Sequence, residues 1–144
     1  MQIFTKTKFL ISLYFLAIFY FIVTVYALYV DIAIFKWVDT PLHFIGGFVS
    51  AFFFSVYYAD RLRVIYKEKT IFSKLFILVF IVGISASVGV AWEVYEFVYD
   101  KLVTLPQQSG FYAQPGLDDT MKDLVMDMLG GLEVALLFLF TKGK

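Results

Sequence analysis

The stretch Gly116-Leu-Asp-Asp-Thr-Met-Lys-Asp-Leu-Val-Met-Asp-Met-Leu-Gly-Gly-Leu-Glu-Val-Ala-Leu-Leu-Phe-Leu-Phe140 combines an acidic beginning with an apolar end. Residues 120–140 are long enough for a membrane span, because a helix needs about 20 residues to cross the hydrocarbon core. Asp119, Asp123 and Asp127 follow one another at intervals of four residues, so they lie near one face of such a helix. The sequence therefore predicts a membrane helix with carboxylates in its first half.

The composition of the whole chain also indicates a membrane protein. Of its 144 residues, 61% are hydrophobic and 17% are charged, whereas soluble domains have about half apolar and about a quarter charged residues. This length predicts a single integral membrane domain covering residues 1–144. The chain has no cysteine, which excludes disulfides and thiolate metal sites.

Four segments have the length and apolar character of membrane spans: about 9–30, 41–59, 71–97 and 120–140. The first is much longer than the apolar core of a cleavable signal peptide, which has about 7–15 residues, so we expect it to be retained. The predicted fold class is an all-α membrane protein, a bundle of four transmembrane helices that makes several passes through the cell membrane.

Basic residues are distributed unevenly between the two ends of these spans. Nine of the twelve Lys and Arg residues fall at one end, which predicts that this end and both chain termini are cytoplasmic. Most acidic residues fall at the opposite end, so we expect a polar site on the extracytoplasmic side. The nine basic residues are Lys6, Lys8, Arg61, Arg63, Lys67, Lys69, Lys74, Lys142 and Lys144.

The outward ends of three spans carry ionisable side chains at the same depth of the membrane. Small residues lie on the same helical faces, and small residues allow membrane helices to approach closely, so we expect the polar faces to meet. The small residues are Gly46, Gly47, Ser50, Gly89 and Gly130. The ionisable residues are Asp39 and His43, then Glu93, Glu96 and Asp100, then Asp119, Asp123 and Asp127.

Such a cluster of acids needs a compensating charge. A carboxylate near the bilayer centre costs on the order of 2.5–3.5 kcal/mol, and Lys101 and Lys122 are too few to neutralise the set. Protonation or a water-filled cavity would lower the cost, and a bound divalent metal ion would do so efficiently. Oxygen ligands favour Mg²⁺, Mn²⁺ or Ca²⁺, and the imidazole makes Zn²⁺ or Fe²⁺ suitable as well. The expected metal ligands are His43, Glu96, Asp119, Asp123 and Asp127.

Purely structural interpretations stay open for several of these residues. Four aspartates fall near predicted span ends, where a solvated acid is common: Asp39, Asp100, Asp118 and Asp119. Asp119 would also serve as a helix N-cap. His43 would then only hydrogen-bond a neighbouring carboxylate. Glu133 lies deeper in the last span, where a proton relay or a helix–helix hydrogen bond would explain it. The loop of residues 102–116 is expected to lie over the acidic cluster.

Three motifs occur in order along two-thirds of the chain: Asp39-x-x-x-His43-x-x-Gly46-Gly47, Trp92-Glu93-x-x-Glu96 and Asp119-Thr120-x-x-Asp123-x-x-x-Asp127-x-x-Gly130. This set resembles the YjdF-type family of membrane proteins, which is in turn similar to the VanZ-like proteins. A VanZ-like protein has a lysine beside the first aspartate and an asparagine near the last motif, where this chain has Thr40 and Asp127. The resemblance implies a helical membrane fold with an outward-facing polar site, connected to the cell envelope or to lipids.

The first functional hypothesis is a metal-dependent membrane hydrolase or transferase acting on a lipid or a lipid-linked phosphate. Asp119, Asp123 and Asp127 follow one another at intervals of four residues. This spacing is similar to that of the aspartates with which intramembrane prenyltransferases hold Mg²⁺ against a diphosphate. In this hypothesis Glu93, His43 and Asp39 are the catalytic residues, with Glu93 as general base. The expected partners are membrane lipids and a lipid-like substrate, and no basic aromatic surface suggests nucleic acid.

Two alternatives without chemistry stay open. The carboxylates of a cation- or proton-binding transport module would hold the ion and break no bond. Four short helices leave little room for alternating access within a monomer, so transport predicts a homodimer. In the other alternative, a structural envelope protein, the polar cluster only holds the helices together.

Overall fold

The computed structural model describes residues 32–104 and 112–141, together with the helical residues Thr7, Ile11, Ile18 and Ile22. The predicted first span, 9–30, therefore lies almost entirely outside the described residues. Within the described ranges there are no strands, and three helices are long and apolar enough to cross a membrane. The all-α class is thus confirmed for these ranges, whereas the first span and with it the total of four, the single domain and the cytoplasmic termini stay predictions.

Helix α1, Ile32–Tyr57, covers most of the second predicted span, 41–59, but begins well before it. The sequence prediction placed the beginning of that span at about Pro41. In the structure Pro41 is inside the helix. Membrane helices tolerate an internal proline because neighbouring helices and local adjustments satisfy the freed carbonyl. Asp39 and His43 consequently lie on consecutive turns of one continuous helix.

A short helix, α2 (Ala59–Tyr66), connects α1 to the next long helix. Its Leu62 is 2% exposed and packs into the apolar core, and its Tyr66 hydroxyl donates to the carbonyl of Leu139 at 3.3 Å. Lys69 follows in the left-handed region, with φ of 53°, which turns the chain back towards the membrane. These contacts fix the connection at the predicted cytoplasmic end.

Helix α3, Ile71–Tyr99, begins with Thr70 as its N-cap, whose hydroxyl accepts a hydrogen bond from the Ser73 N–H at 3.1 Å. Such a cap satisfies one of the free N–H groups of the first turn. At its other end α3 continues into a π-helical turn, Asp100–Thr104. The last helix, α4, covers Leu117–Thr141. Both helices agree closely with the third and fourth predicted spans.

The three long helices alternate in direction, so each contributes one end to the same side of the membrane. That side receives the beginning of α1, the end of α3 and the beginning of α4. The opposite half contains an apolar core in which Ile77, Ile81, Val134 and Ala135 are at most 3% exposed. Polar and apolar side chains therefore occupy opposite ends of one set of helices.

Glycines hold α4 close to both neighbouring helices. A Cβ atom added to Gly130 would collide with the backbone of Phe44 and Phe48 in α1, and one added to Gly47 would collide with the backbone of Asp127. A Cβ atom at Gly89 of α3 would collide with the Asp127 carboxylate. The absence of side chains at these positions lets the backbones approach, as expected for membrane helices. This close approach brings the acidic faces together.

Candidate functional site

Six of the seven residues expected to form a site are buried together between α1, α3 and α4. Asp39, His43, Glu93, Glu96 and Asp127 are 4–6% exposed, and Asp123 is 1% exposed. The seventh, Asp119, is at the rim, where 22% of its side chain is exposed. The helix faces inferred from sequence spacing therefore do turn towards one another in the structure.

The imidazole of His43 is at the centre of this cluster. Its Nδ1 is 3.0 Å from Oδ2 of Asp127, within hydrogen-bond distance. When the Asp127 carboxylate is ionised it accepts a hydrogen bond from Nδ1–H, and in the neutral tautomer of this kind Nε2 keeps its lone pair. The backbone carbonyl of Asp127 in turn accepts a hydrogen bond from the Ser85 hydroxyl, which ties α4 to α3 at this level.

The second nitrogen of His43 faces two carboxylates from different helices. Nε2 is 3.8 Å from Oδ1 of Asp39 and 3.7 Å from Oε1 of Glu93. Among the described residues, neither Nε2 of His43 nor Oε1 of Glu93 has a hydrogen-bond partner, although both atoms are buried. Buried polar atoms are nearly always paired, so two unpaired atoms that face each other indicate a place for a ligand.

The second oxygen of each glutamate has a donor of its own. Oε2 of Glu93 accepts a hydrogen bond from the Gln114 side-chain amide at 2.9 Å. Oε1 of Glu96 accepts one from the Trp92 indole N–H at 2.8 Å. Both donors restrain the carboxylates from outside the cluster, as supporting residues around metal ligands commonly do.

The beginning of α4 supplies the remaining groups. Oδ1 of Asp123 is buried and, within residues 32–104 and 112–141, has no hydrogen-bond partner. The Lys122 ammonium is 3.8 Å from this oxygen and makes a closer ion pair with Asp119. Asp119 is therefore engaged with a lysine at the rim, outside the group of side chains that surround Nε2.

Within the part of the chain that the structure describes, two overlapping sets of three side chains are close enough to share one ion. One consists of Asp39, His43 and Asp123 and the other of His43, Glu93 and Glu96, with the ligand atoms of each set within 4.8 Å of one another. Ligand atoms about 2.1 Å from an ion such as Mg²⁺ are separated by at most about 4.2 Å. The distances of 3.7 and 3.8 Å around Nε2 meet this limit. Neither set includes Asp127 or Asp119, both of which were expected to be ligands.

Three contacts to the cluster were not expected from the sequence. In the sequence, Trp92 is only the first position of the Trp92-Glu93-x-x-Glu96 motif, and the structure shows that its N–H contacts Glu96. Gln114 belongs to a loop, where sequence spacing does not indicate position, and the hydroxyl of Ser85 gives no sequence signal of its own. Glu133, by contrast, is exposed on α4 and does not join the cluster.

Comparison with known proteins gives this arrangement a family context. The family model described as predicted membrane protein (DUF2238) matches residues 2–144. The chain belongs to this family. Membership in DUF2238 confirms the membrane character inferred from the apolar spans and is consistent with the YjdF-type resemblance. The VanZ-like relationship and the extracytoplasmic orientation of the cluster stay predictions.

One relative of this DUF2238 member is a protein of Thermotoga maritima described as uncharacterized. It is 37% identical over 100 residues, which cover 67% of the present chain and 44% of the relative. The chain thus matches less than half of that protein's length. No solved structure matches the chain.

Proposed function

We propose that this membrane protein binds a divalent metal ion through His43, Glu93 and Glu96, and that it is a hydrolase or transferase acting on a lipid or lipid-linked phosphate. Asp39 is the general base, and Asp123 completes the polar surface opposite the two glutamates. Compared with the roles expected from the sequence, Glu93 changes from base to ligand. Asp127 changes from ligand to the residue that orients the imidazole.

The observation that carries this proposal is the pair of unpartnered atoms, Nε2 of His43 and Oε1 of Glu93, at 3.7 Å. Leaving a buried polar atom without a partner costs about 1–3 kcal/mol. A cation between the two atoms would satisfy both. The hydrogen bond from His43 Nδ1 to Asp127 supports this interpretation, because metal-binding histidines usually donate their other N–H to a carboxylate or carbonyl.

The charge of the cluster supports the same conclusion. The nearby cationic groups are His43, when protonated, and Lys122, whose side chain is 44% exposed and already paired with Asp119. Several negative charges held in a membrane interior repel one another, and burial weakens their solvation. A divalent cation would neutralise two of them. The buried carboxylates are Asp39, Glu93, Glu96, Asp123 and Asp127.

The donor set favours a hard cation with open positions. Two carboxylates and one imidazole suit Mg²⁺ or Mn²⁺, and the imidazole also makes Zn²⁺ suitable. Three protein ligands leave coordination positions for substrate, as in catalytic rather than structural metal sites. The ion would polarise a phosphoryl or carbonyl oxygen when bound. Oδ1 of Asp39, at 3.8 Å from Nε2, would then accept a proton from the attacking hydroxyl group.

The position of the cluster supports a substrate delivered by the membrane. Asp39, Glu96 and Asp123 all lie within candidate membrane spans, close to the ends of the helices. A headgroup at the membrane surface reaches that depth while its acyl or prenyl chain stays in the bilayer. The distribution of Lys and Arg along the sequence supports an extracytoplasmic position for this surface.

The test is metal analysis of the purified full chain, combined with an assay for phosphate release. We compare the wild type with Glu96→Gln and Asp39→Asn, and with Asp118→Asn as a matched control, because Asp118 is exposed. We expect about one ion per chain in all of these proteins except Glu96→Gln, since only that variant removes a ligand. Phosphate release from a polyprenyl diphosphate or phosphatidate in mixed micelles is expected in the wild type and in Asp118→Asn only.

Different results would reject different parts of the proposal. A wild-type chain that binds no divalent ion at micromolar concentrations would reject the metal site. If Asp39→Asn loses the metal and Glu96→Gln keeps it, the ligands are instead those of the other set, Asp39, His43 and Asp123. Cation flux into proteoliposomes without phosphate release would reject the enzyme and support the transport alternative.

A further inference from the structure

We propose that Gln114 determines which metal ion the site prefers, by restricting Glu93 to coordination through a single oxygen and so disfavouring Ca²⁺. This inference rests on the metal site proposed above. It concerns a loop residue that no sequence motif includes, and it predicts a preference for Mg²⁺ or Mn²⁺.

Gln114 is held over the cluster by the end of α3. The two carboxylate oxygens of Asp100 accept hydrogen bonds from consecutive backbone N–H groups, those of Ala113 and Gln114, each at 2.9 Å. Asp100 is 6% exposed and is the first residue of the π-helical turn that follows α3. Because both oxygens of one buried carboxylate are used, the backbone of Gln114 is fixed in position and in orientation. Asp100 is therefore a positioning residue for Gln114.

The side chain of Gln114 then makes two contacts with Glu93. Its amide nitrogen is 2.9 Å from Oε2 and 3.4 Å from the backbone carbonyl of the same residue. Oε2 is thereby turned away from the imidazole, while Oε1 faces Nε2 of His43 without a hydrogen-bond partner among the described residues. Trp92 engages one oxygen of Glu96 in the same way. One oxygen of each glutamate thus already accepts a hydrogen bond from a side-chain N–H.

Coordination through single oxygens has a consequence for metal choice. Ca²⁺ takes 6–8 oxygen ligands at about 2.3–2.6 Å and commonly uses both oxygens of a glutamate, whereas Mg²⁺ requires six ligands in near-octahedral geometry at about 2.0–2.1 Å. A glutamate whose second oxygen is held by an amide N–H must move away from this donor or share the oxygen before both of its oxygens can bind one ion, which favours coordination through a single oxygen. The site therefore provides too few oxygens for Ca²⁺ and suits the smaller ions.

The experiment measures Mn²⁺ and Ca²⁺ binding to the full chain in detergent by titration calorimetry. Gln114→Met keeps the length of the side chain but removes the donor, and Tyr112→Met changes an exposed residue of the same loop as a control. We expect the wild type and Tyr112→Met to prefer Mn²⁺. In Gln114→Met the ratio of the Ca²⁺ to the Mn²⁺ dissociation constant should fall about tenfold, the lower end of the effect of supporting residues on metal affinity.

Two further variants distinguish the loss of a specific hydrogen bond from unfolding of the protein. Trp92→Phe removes the donor to Glu96 and should lower the same ratio, while Asp100→Asn weakens the hold on Gln114 and should lower it less. Equal weakening of both ions in Gln114→Met would show a merely structural role and overturn the inference, as would an unchanged ratio. A wild-type chain that binds neither ion would instead overturn the metal site itself.

Discussion

Side chains are buried at both ends of the helical bundle, but they are apolar at one end and ionisable at the other. At the predicted cytoplasmic end, Ile77 and Ile81 of α3 contact an apolar core with Ala135 of α4, and all three are at most 1% exposed. At the other end, His43 of α1 and Asp123 of α4 are buried between the helices and are 5% and 1% exposed. Burial alone therefore does not distinguish the regions. The difference is that one end gains free energy from packing, and the other requires free energy to hold charges together.

The apolar residues stabilise the fold, whereas the polar residues depend on the fold to form a site. Apolar packing and glycine-mediated contacts hold the helices at a fixed separation. Buried carboxylates repel one another at this short distance unless they are paired or bind an ion. Clusters of polar groups that are buried although their burial costs free energy are typical of functional sites. Substitutions at the apolar end should therefore change stability, and substitutions at the polar end should change ligand binding.

The largest effect is expected for Gly130→Leu, at the boundary between the two ends. The new side chain would collide with the backbone of Phe44 and Phe48, which cannot move aside as a side chain would. We expect destabilisation at or above the about 1–3 kcal/mol typical of overpacked cores, with loss of metal binding because α1 and α4 separate. Thermal unfolding followed by circular dichroism in detergent measures the change. Gly83→Leu is the matched control, since nothing lies within 4 Å of a Cβ atom there.

The next effect concerns the apolar end alone. Ile81→Ala removes packing from a residue that is 1% exposed and should lower the free energy of unfolding by about 2–5 kcal/mol. Val79→Ala, on a side chain that is 65% exposed, should change it by less than about 0.5 kcal/mol. Metal affinity should be the same in both folded variants. A selective loss of affinity in Ile81→Ala would show that the two ends are not independent.

A smaller effect is expected for Asp127→Asn at the polar end. An amide still accepts a hydrogen bond from His43 Nδ1 but makes the imidazole a weaker ligand, so metal should bind about tenfold more weakly. The metal-free protein should unfold at the same temperature as the wild type or higher, because one buried charge is removed. Glu133→Gln replaces an exposed acid of the same helix and should change neither quantity. A lower unfolding temperature in metal-free Asp127→Asn would contradict the proposed division between the ends.

The smallest effect is expected for Lys122→Met at the rim. The ammonium is 3.8 Å from Oδ1 of Asp123 at the edge of the cluster and is partly solvated. Because like charges repel weakly in a solvated environment, we expect its repulsion of a bound cation to be about 1 kcal/mol, or about a fivefold change in affinity. Removing it should strengthen divalent metal binding by about that factor. Lys101→Met is the control, because that lysine is exposed and lies over the Phe97 ring at 5.4 Å. Weaker metal binding in Lys122→Met would place the ion elsewhere.

Much of the fold and the meeting of the polar faces follow from the sequence. Apolar length predicted the three spans that the structure describes. The spacing of Asp39 and His43 predicted a shared helical face, on which both are buried. The small residues beside them predicted the close approach of the helices. These properties depend on helical periodicity, which a sequence displays directly.

The individual contacts were not predictable from the same pattern. Asp123 and Asp127 are one turn apart, but which carboxylate faces Nδ1 and which faces the other side of the ring depends on the rotation of α4 about its axis. Contacts at Gly130 and Gly131 with two neighbouring helices set that rotation. The contact of Gln114 with Glu93 depends on a loop held by Asp100, for which spacing provides no rule. Tertiary contacts thus determine details that periodicity leaves open.

The hydrogen bond from Trp92 to Glu96 also has a practical consequence. The indole N–H is 2.8 Å from a carboxylate oxygen of the proposed site, and indole emission responds to the charge and polarity around the ring. The chain contains only two tryptophans, so a Trp37→Phe background would leave Trp92 as the single tryptophan, next to the cluster. Ion occupancy would then be visible as a change in intrinsic fluorescence, and the protein would serve as its own optical reporter in native membranes.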